Sequence, residues 1–281
     1  MPKFEYDFVG QKTLTDAGYA EACQAADDYS VSLINGNKLI GSATLVSIGK
    51  VHGLLTADHV WQTLRKGDDK DLFCIVLGSQ LQRFEYPFQQ CMPFIVGEYS
   101  PEHAEEGPDL TFIRLDDPLK LGTIKSRKLF YPLDSENLKV FSQIPFGRCP
   151  WVVWGAPGEQ SRRSSTDAGE PILRLRHFAG AGDFIEKVER NEFDYVKIKI
   201  TSGTHDFPGS YGGVSGGGVW IPIRFSEDPE GRTLKPSLHL LLAGVAYLQI
   251  EEEANFKTLA LHGPKSIYQA VINSVLGQQT G

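Results

Sequence analysis

The chain has 281 residues, of which 41% are hydrophobic and 22% charged, and its formal net charge at pH 7 is -7. This composition is typical of a folded globular protein and excludes a disordered or fibrous one. Because nucleic acid and anionic membranes attract basic surfaces, the acidic balance predicts neither of them as a partner.

The amino terminus and the cysteines bear on where the protein works. The sequence begins MPKFEYDFVGQK, with acidic residues where a secretory signal needs a basic start and an apolar run. The longest apolar window, residues 238–250, is shorter than the ~18 residues of a membrane span. The four cysteines form no Cys-x-x-Cys pair, which predicts reduced, buried thiols: Cys23, Cys74, Cys91 and Cys149. We therefore expect a soluble cytoplasmic protein with neither a metal nor a cofactor.

The first half of the chain predicts a helix followed by strands. Residues 15–28 have helical character, with Thr15 as the candidate N-cap. Six runs rich in branched and aromatic residues then alternate with Gly, Asn, Asp and Pro, and each predicts a strand: YSVSLIN, LIGSATLVS, KVHGLLTA, LFCIVLG, FEYPFQQCMPFIV and LTFIRL. Residues 116–138 are less regular.

The second half is again rich in strand patterns: KVFSQI, WVVWG, ILRLRHF, YVKIKIT, GVWIPI, LHLLLAGVAYL and KTLAL. In YVKIKIT, Val196, Ile198 and Ile200 alternate with polar residues, which is typical of a half-exposed antiparallel strand. In SIYQAVINSVL, apolar residues recur every four positions and predict a closing amphipathic helix.

Two strand-rich halves and a terminal helix predict an all-β fold of two packed six-stranded antiparallel barrels. We place the first barrel at residues 29–130 and the second, with the carboxy-terminal helix, at residues 131–281. Residues 1–28 form an amino-terminal extension. The length allows two such units that share an interface.

Ser215 lies among five glycines in SYGGVSGGGVW. The segment formally matches Gly-x-Ser-x-Gly, but the nucleophile elbow of α/β-hydrolases needs a helix after the serine, and here a strand-like run follows. A phosphate-binding loop would also open a helix and would carry a Lys-Ser/Thr pair. Read alone, the segment leaves open a plain glycine turn or a loop that presents a nucleophile.

Two other segments bear on this choice. His59 directly follows an apolar strand in GLLTADHVW, and Asp109 begins the strand of GPDLTFIRL. Each has an ordinary structural interpretation, the second as a turn cap. Together with Ser215 they supply a base, a carboxylate and a nucleophile, which is the set that serine-based acyl transfer requires.

These motifs resemble those of the trypsin-like (chymotrypsin-fold) serine peptidases, which have Thr-Ala-x-His, Asp-Leu-x-x-x-x-Leu and Gly-x-Ser-Gly-Gly in this order. Here they read TADH, DLTFIRL and GVSGG, and the resemblance covers roughly residues 29–276. It implies an endopeptidase in which His59 is the general base, Asp109 orients it, and Ser215 is the nucleophile. It assigns the oxyanion hole to the N–H groups of Gly213 and Ser215.

The resemblance further implies a protein or peptide substrate. The lack of disulfide-placed cysteines resembles the intracellular and bacterial branches, some of which are regulated effectors. For this chain the resemblance therefore also implies a regulatory protein partner. The implied substrate pocket has Gly209 at its floor, and because this residue is uncharged a preference for Arg or Lys is not indicated, although Asp206 lies close in sequence. The other pocket residues would be Ser210, Tyr247, Leu248 and Gln249, and a side chain in place of glycine at Leu248 or Gln249 would make the pocket shallow.

Val214 stands where activatable members of this family carry an aspartate that pairs with a newly cut amino terminus. Valine forms no ion pair, so we expect no activation by propeptide cleavage and a capping role for residues 1–28. Two alternatives stay open. One is a catalytically silent binding module on the same fold. The other is an esterase or lipase, for which Asp228 with His239 or His262 supplies the required order.

Overall fold

The computed structural model describes residues 6–7, 16–77, 82–165, 171–201, 208–225, 237–253 and 255–278. Strands predominate in these ranges and the helices are short, which confirms the predicted all-β class. None of the helices in these ranges is long and apolar enough to cross a membrane.

The strands of the first barrel are β2 Ser30–Asn35, β3 Lys38–Ile48, β4 Val51–Thr56, β5 Leu72–Leu77, β6 Gln82–Pro87, β7 Cys91–Gly97 and β8 Leu110–Leu115. They form an antiparallel sheet in the order β6-β5-β2-β3-β4-β8-β7. A 3₁₀ turn over Phe88–Gln90 joins β6 to β7, so the chain itself connects the two ends of this path.

The run FEYPFQQCMPFIV, predicted as one strand, is therefore a strand bent into β6 and β7. Pro87 offers no N–H for a continued ladder, and Phe88 turns into the core, where its ring lies 5.0 Å from that of Phe73. Counted once, the bent strand gives this sheet the six predicted strands, but among the described residues no strand pairing joins its two ends, so it is a half-barrel sheet.

The second barrel is closed by hydrogen bonds, because the strand over Gly218–Phe225 pairs with both Trp151–Gly155 and Ser237–Glu253. Its strands follow the order β15-β10-β13-β14-β17-β16, with the bounds β10 Trp151–Gly155, β13 Phe178–Arg190, β14 Phe193–Thr201, β15 Gly218–Phe225, β16 Ser237–Glu253 and β17 Phe256–His262. The short β1, Tyr6–Asp7, pairs with the end of β15, and β11, Arg162–Ser165, pairs with β12, Pro171–Arg174.

One prediction in this half was wrong, and one strand was missed. KVFSQI is not a strand but contains most of the helix α4, Asn137–Phe141, because Leu138 and Phe141 pack on the core at a spacing of three residues, a helical period. The sequence also did not predict β13, whose exposed face carries charged residues and whose first half is rich in Gly and Ala. The alternation in YVKIKIT is confirmed, since Val196, Ile198 and Ile200 are all buried.

Helices cover the barrels at several points. The helix α1, Asp16–Asp28, buries Ala22 and Ala26 in the core that contains the second barrel, whereas Thr15, its predicted cap, lies outside the described residues. Helices α2, Asp58–Lys66, and α3, Pro118–Lys125, belong to the first half. The chain closes with a π-helical turn over Ser266–Val271 and then α5, Ile272–Gly277, and the three apolar residues used to predict this helix are fully buried: Ile267, Val271 and Val275.

The segment between the barrels returns to the first of them. The short β9, Tyr131–Pro132, pairs in parallel with β3. Tyr131 also contacts the ring of Trp220 in β15 at 5.3 Å and accepts a hydrogen bond from Tyr268 Oη at 3.2 Å. The division of the chain at residues 130 and 131 stays a prediction, and Tyr131 contacts both sides of it.

Candidate active site

His59 and Asp109 form the shortest polar contact of the site. Nδ1 of His59 lies 2.6 Å from Oδ2 of Asp109, and the backbone N–H of His59 donates to Oδ1 at 2.8 Å. The carboxylate is buried, whereas the imidazole keeps 28% of its side chain exposed. When Nδ1–H donates to the carboxylate, Nε2 on the other side of the ring is the unprotonated, basic nitrogen.

The pair is held at the start of α2 by a second carboxylate. Asp58 is fully buried and accepts hydrogen bonds from Thr111 Oγ1 at 2.6 Å and from the N–H of Tyr99 at 2.9 Å. These bonds tie the first turn of α2 to β8 and to the loop after β7. The ring of Tyr99 lies 5.3 Å from that of His59 and so borders the imidazole.

His262 holds the backbone of Asp109 by a hydrogen bond. The sequence did not predict this role for His262. Its Nε2 accepts the backbone N–H of Asp109 at 3.0 Å, and its ring packs against Tyr247, with 4.8 Å between centroids. Burial lowers the pKa of His262 to about 4, so the ring is neutral at pH 7. No sequence signal marks this contact, because 153 residues separate the partners.

This burial predicts a pH-dependent stability. In the unfolded chain His262 binds a proton as the pH falls below the ordinary histidine pKa of about 6.5. In the folded chain it stays neutral down to about pH 4. The free energy of unfolding of the wild type should therefore fall through this window as the pH falls, by up to about 3 kcal/mol from this group. His262→Gln keeps an acceptor for Asp109 but does not titrate, so its disadvantage relative to the wild type should shrink at pH 4.

Urea unfolding of both proteins at pH values from 4 to 7.5 measures this difference. His103→Gln is the matched control, because the His103 side chain is 64% exposed and the same substitution there removes no buried ring. Parallel pH profiles for the two variants would contradict the assignment of the effect to His262.

Ser215 lies on the loop that leads into β15, which begins three residues later. A strand after the serine excludes the helix that an α/β-hydrolase elbow requires, and Asp228 lies outside the described residues. Oγ of Ser215 donates to the carbonyl oxygen of Tyr247 at 3.4 Å. Proton transfer to His59 would require rotation of this hydroxyl, and catalytic contacts are often looser without substrate.

Gly213 and Ser215 present their N–H groups without an acceptor among the residues that the structure describes. The N–H of Gly158 donates to the carbonyl of Gly212 at 2.5 Å, so the N–H of Gly213, on the same trans peptide unit, points the opposite way. Gly213 has φ +95°, and a Cβ there would lie 2.6 Å from the oxygen of Ala156. Only glycine fits this position.

Val214 is almost fully buried, and its N–H donates to the carbonyl of Tyr211 at 2.9 Å. Gly155 in β10 makes room for it, because a Cβ on Gly155 would lie 2.8 Å from Cγ1 of Val214. Val214 is thus held by packing and by a backbone hydrogen bond within the second barrel, and its apolar side chain forms no ion pair.

His59, Asp109 and Ser215 line one cavity of about 290 Å³. Its lining brings together most of the predicted pocket and the loop residues beside it: His59, Tyr99, Ala104, Asp109, Ser210, Tyr211, Gly212, Ser215, Tyr247, Leu248 and Gln249. Gly209 does not line this cavity, and Asp206 lies outside the described residues. The N–H groups of Gly209 and Ser210 instead donate to the carboxylate of Glu159, at 2.5 and 2.9 Å.

Gln249 lines the cavity beside Tyr211. Its Oε1 accepts the N–H of Tyr211 at 2.6 Å, which links β16 to the loop before Ser215. Tyr247 donates to the carbonyl of Glu105 at 3.4 Å, and burial raises its pKa above the ordinary tyrosine value, so the phenol stays neutral. The contacts of Glu159 and Gln249 were not predicted, since neither side chain belongs to a recognisable motif.

The described residues contain no group of three His, Cys, Asp or Glu side chains that could hold a metal ion. All four cysteines are free thiols. Burial raises the pKa of Cys91 to about 12 and that of Cys149 to about 11, so neither is a thiolate at neutral pH.

Comparisons with known proteins address the fold. No family model and no curated protein matches the sequence. Among solved structures, the chain is similar to the HtrA-type protease AlgW with tripeptide, at 16% identity and a TM-score of 0.50, over 93% of this chain and 64% of that one. A structure from work on the coupled folding and binding of the intrinsically disordered Sesbania mosaic virus VPg protein matches at 13% identity and a TM-score of 0.43, over 88% of this chain and 91% of that one.

This chain thus spans less than two thirds of the AlgW structure, and at 16% identity the likeness bears on architecture alone. It agrees with a closed six-stranded barrel beside a second curved sheet, with few helices. The chain therefore has the two-barrel fold of the trypsin-like serine peptidases.

Proposed function

We propose that this protein is a serine endopeptidase that hydrolyses peptide bonds through an acyl-enzyme intermediate. The observation that carries the proposal is the 2.6 Å contact between His59 and the buried carboxylate of Asp109, in the lining of the cavity that also contains Ser215. The protease fold supports a peptidase, and a peptide is bound in the similar AlgW structure.

In the proposed reaction, Oγ of Ser215 attacks the carbonyl carbon of the scissile bond while Nε2 of His59 takes its proton. Asp109 holds the tautomer that leaves Nε2 basic and stabilises the imidazolium that forms. The N–H groups of Gly213 and Ser215 bind the developing oxyanion. His59 then protonates the leaving amine, and a water molecule, activated by the same imidazole, hydrolyses the acyl-serine ester.

The form of the enzyme that we propose needs no cleavage of its amino terminus. Val214 is buried by packing against Gly155, so the loop before Ser215 reaches its order without a new terminal ammonium. Four free cysteines fit a reducing compartment such as the cytoplasm of a bacterium. A regulatory protein partner, as for an effector protease, belongs to this proposal.

The test is labelling with a fluorophosphonate, followed by peptide mapping. We expect one adduct on Ser215 of the intact chain. Ser210, which lines the same cavity, is an internal control because its Oγ accepts a hydrogen bond from Gly212 and has no histidine partner among the described residues. An adduct on Ser210, or label only on molecules trimmed within residues 1–28, would contradict the proposal as stated.

A catalytically silent binding module is the second candidate. It is favoured by the hydrogen bond of Ser215 to Tyr247 and by the hydrogen bond between Gln249 and Tyr211, two residues that line the cavity. Such a module would bind peptides without reacting. Folded protein that binds peptide but takes up no fluorophosphonate would support it over the peptidase.

A further inference from the structure

Ser42 lies at the contact between the two barrels, fully buried in β3. Its hydroxyl donates to the carbonyl of Gly213 at 2.8 Å and accepts the N–H of Ala156 at 3.1 Å. Its backbone N–H donates to the carbonyl of Ser215 at 2.9 Å, and its backbone carbonyl accepts Oγ1 of Thr56 at 2.8 Å. One residue of the first barrel thus makes four hydrogen bonds at this junction.

Two of these bonds bracket the N–H group of Ser215. The carbonyl of Gly213 belongs to the peptide unit before Val214, and the carbonyl of Ser215 belongs to the unit after Ser215. The peptide unit that carries the Ser215 N–H lies between them. When both flanking planes are held by Ser42, the direction of this N–H is restricted.

The loop around Ser215 packs so closely on β3 and β4 that it cannot shift along them and keep these hydrogen bonds. Gly216 has φ +85°, and a Cβ there would lie 2.1 Å from the carbonyl oxygen of Ser42 and 2.0 Å from Oγ1 of Thr56. A Cβ on Gly41 would lie 3.0 Å from the carbonyl oxygen of Ser215. The loop around the nucleophile therefore rests directly on β3 and β4.

We propose that Ser42 is a positioning residue that sets the geometry of the oxyanion-binding loop from the opposite barrel. The inference rests on the proposed peptidase function. Ser42 does not touch the substrate, and it acts through Gly213, Ser215 and Ala156. The hydroxyl is the chemically required part, because only a group that donates and accepts at once satisfies both the Gly213 carbonyl and the Ala156 N–H.

Ser42→Ala should lower kcat by on the order of 10- to 100-fold with little change in KM, since small misplacement of reacting groups affects the transition state more than substrate binding. The backbone bond from Ser42 to Ser215 survives the change, so the loop stays in place but loses its exact orientation. Ser42→Cys keeps a group of similar size that hydrogen-bonds weakly. Its kcat should therefore lie between those of the wild type and Ser42→Ala.

Ser30→Ala is the matched control. Ser30 is also fully buried, on the neighbouring strand β2, and its hydroxyl donates to the carbonyl of Ala26 at 2.7 Å. Its loss should cost thermal stability in a similar way but leave kcat unchanged. The experiment measures kcat and KM for peptide hydrolysis, the thermal midpoint, and amide hydrogen exchange of residues 209–217 in all four proteins.

We expect faster exchange in this segment for Ser42→Ala than for Ser30→Ala at matched stability. Equal kcat and equal exchange in the two alanine variants would overturn the inference while the wild type remains an active peptidase. If the wild type does not react, the proposed function fails, and exchange alone decides whether Ser42 orders the loop. Ser42→Cys takes the place of Ser42→Ala in both readouts if the alanine variant does not fold.

Discussion

Ser215→Ala and His59→Ala are each expected to lower kcat for peptide hydrolysis by on the order of 10⁶-fold and to abolish fluorophosphonate labelling. Without Oγ there is no nucleophile, and without the imidazole the hydroxyl keeps its proton near neutral pH. Because the residues act as a unit, the double variant should be no slower than either single variant. Active-site titration and initial rates measure both effects.

The matched control for the histidine is His103→Ala. His103 lies on the loop that borders the cavity, with its side chain 64% exposed, and it contacts Glu106 at 3.8 Å. Its loss should leave labelling and turnover near the wild-type values. Strong labelling of folded Ser215→Ala protein would refute the assignment of the nucleophile, and near-native turnover of His59→Ala would refute the assignment of the base.

Asp109→Asn is expected to lower kcat by about 10⁴-fold. The amide would donate to Nδ1 of His59 where the carboxylate accepts at 2.6 Å, so the ring would be held in the tautomer with its proton on Nε2. That nitrogen then takes no proton from Ser215, and the charge that stabilises the imidazolium is absent. The fold should survive, since the amide oxygen still accepts the backbone N–H of His59.

Asp116→Asn is the control for the second prediction. Asp116 is exposed and pairs with Arg114 at 2.6 Å. Among the described residues its carboxylate makes no hydrogen bond with His59. Its loss should leave kcat unchanged. Raising the pH near neutrality should not restore the activity of Asp109→Asn. Its imidazole is already neutral but in the wrong tautomer, so loss of a proton from the ring cannot correct the defect. Near-native activity of Asp109→Asn would mean that another carboxylate orients His59.

The strands were largely predictable because their signals are local. An alternation such as that of Val196, Ile198 and Ile200 reports directly which face of a strand is buried. The errors occurred where distant contacts override local preference. KVFSQI has the composition of a strand, but Leu138 and Phe141 find the core as one helical turn, and β13 is stabilised by two neighbouring strands despite its polar face.

The sequence by itself determined the candidate nucleophile, base and carboxylate, since each lies in a short motif whose residue types carry its chemistry: His59, Asp109 and Ser215. Only the tertiary structure decided what holds them. His262 supports Asp109 across 153 positions, and Ser42 holds Gly213 across 171. A single sequence contains no local pattern for such bonds, because their partners meet only when two barrels pack and buried polar groups must pair.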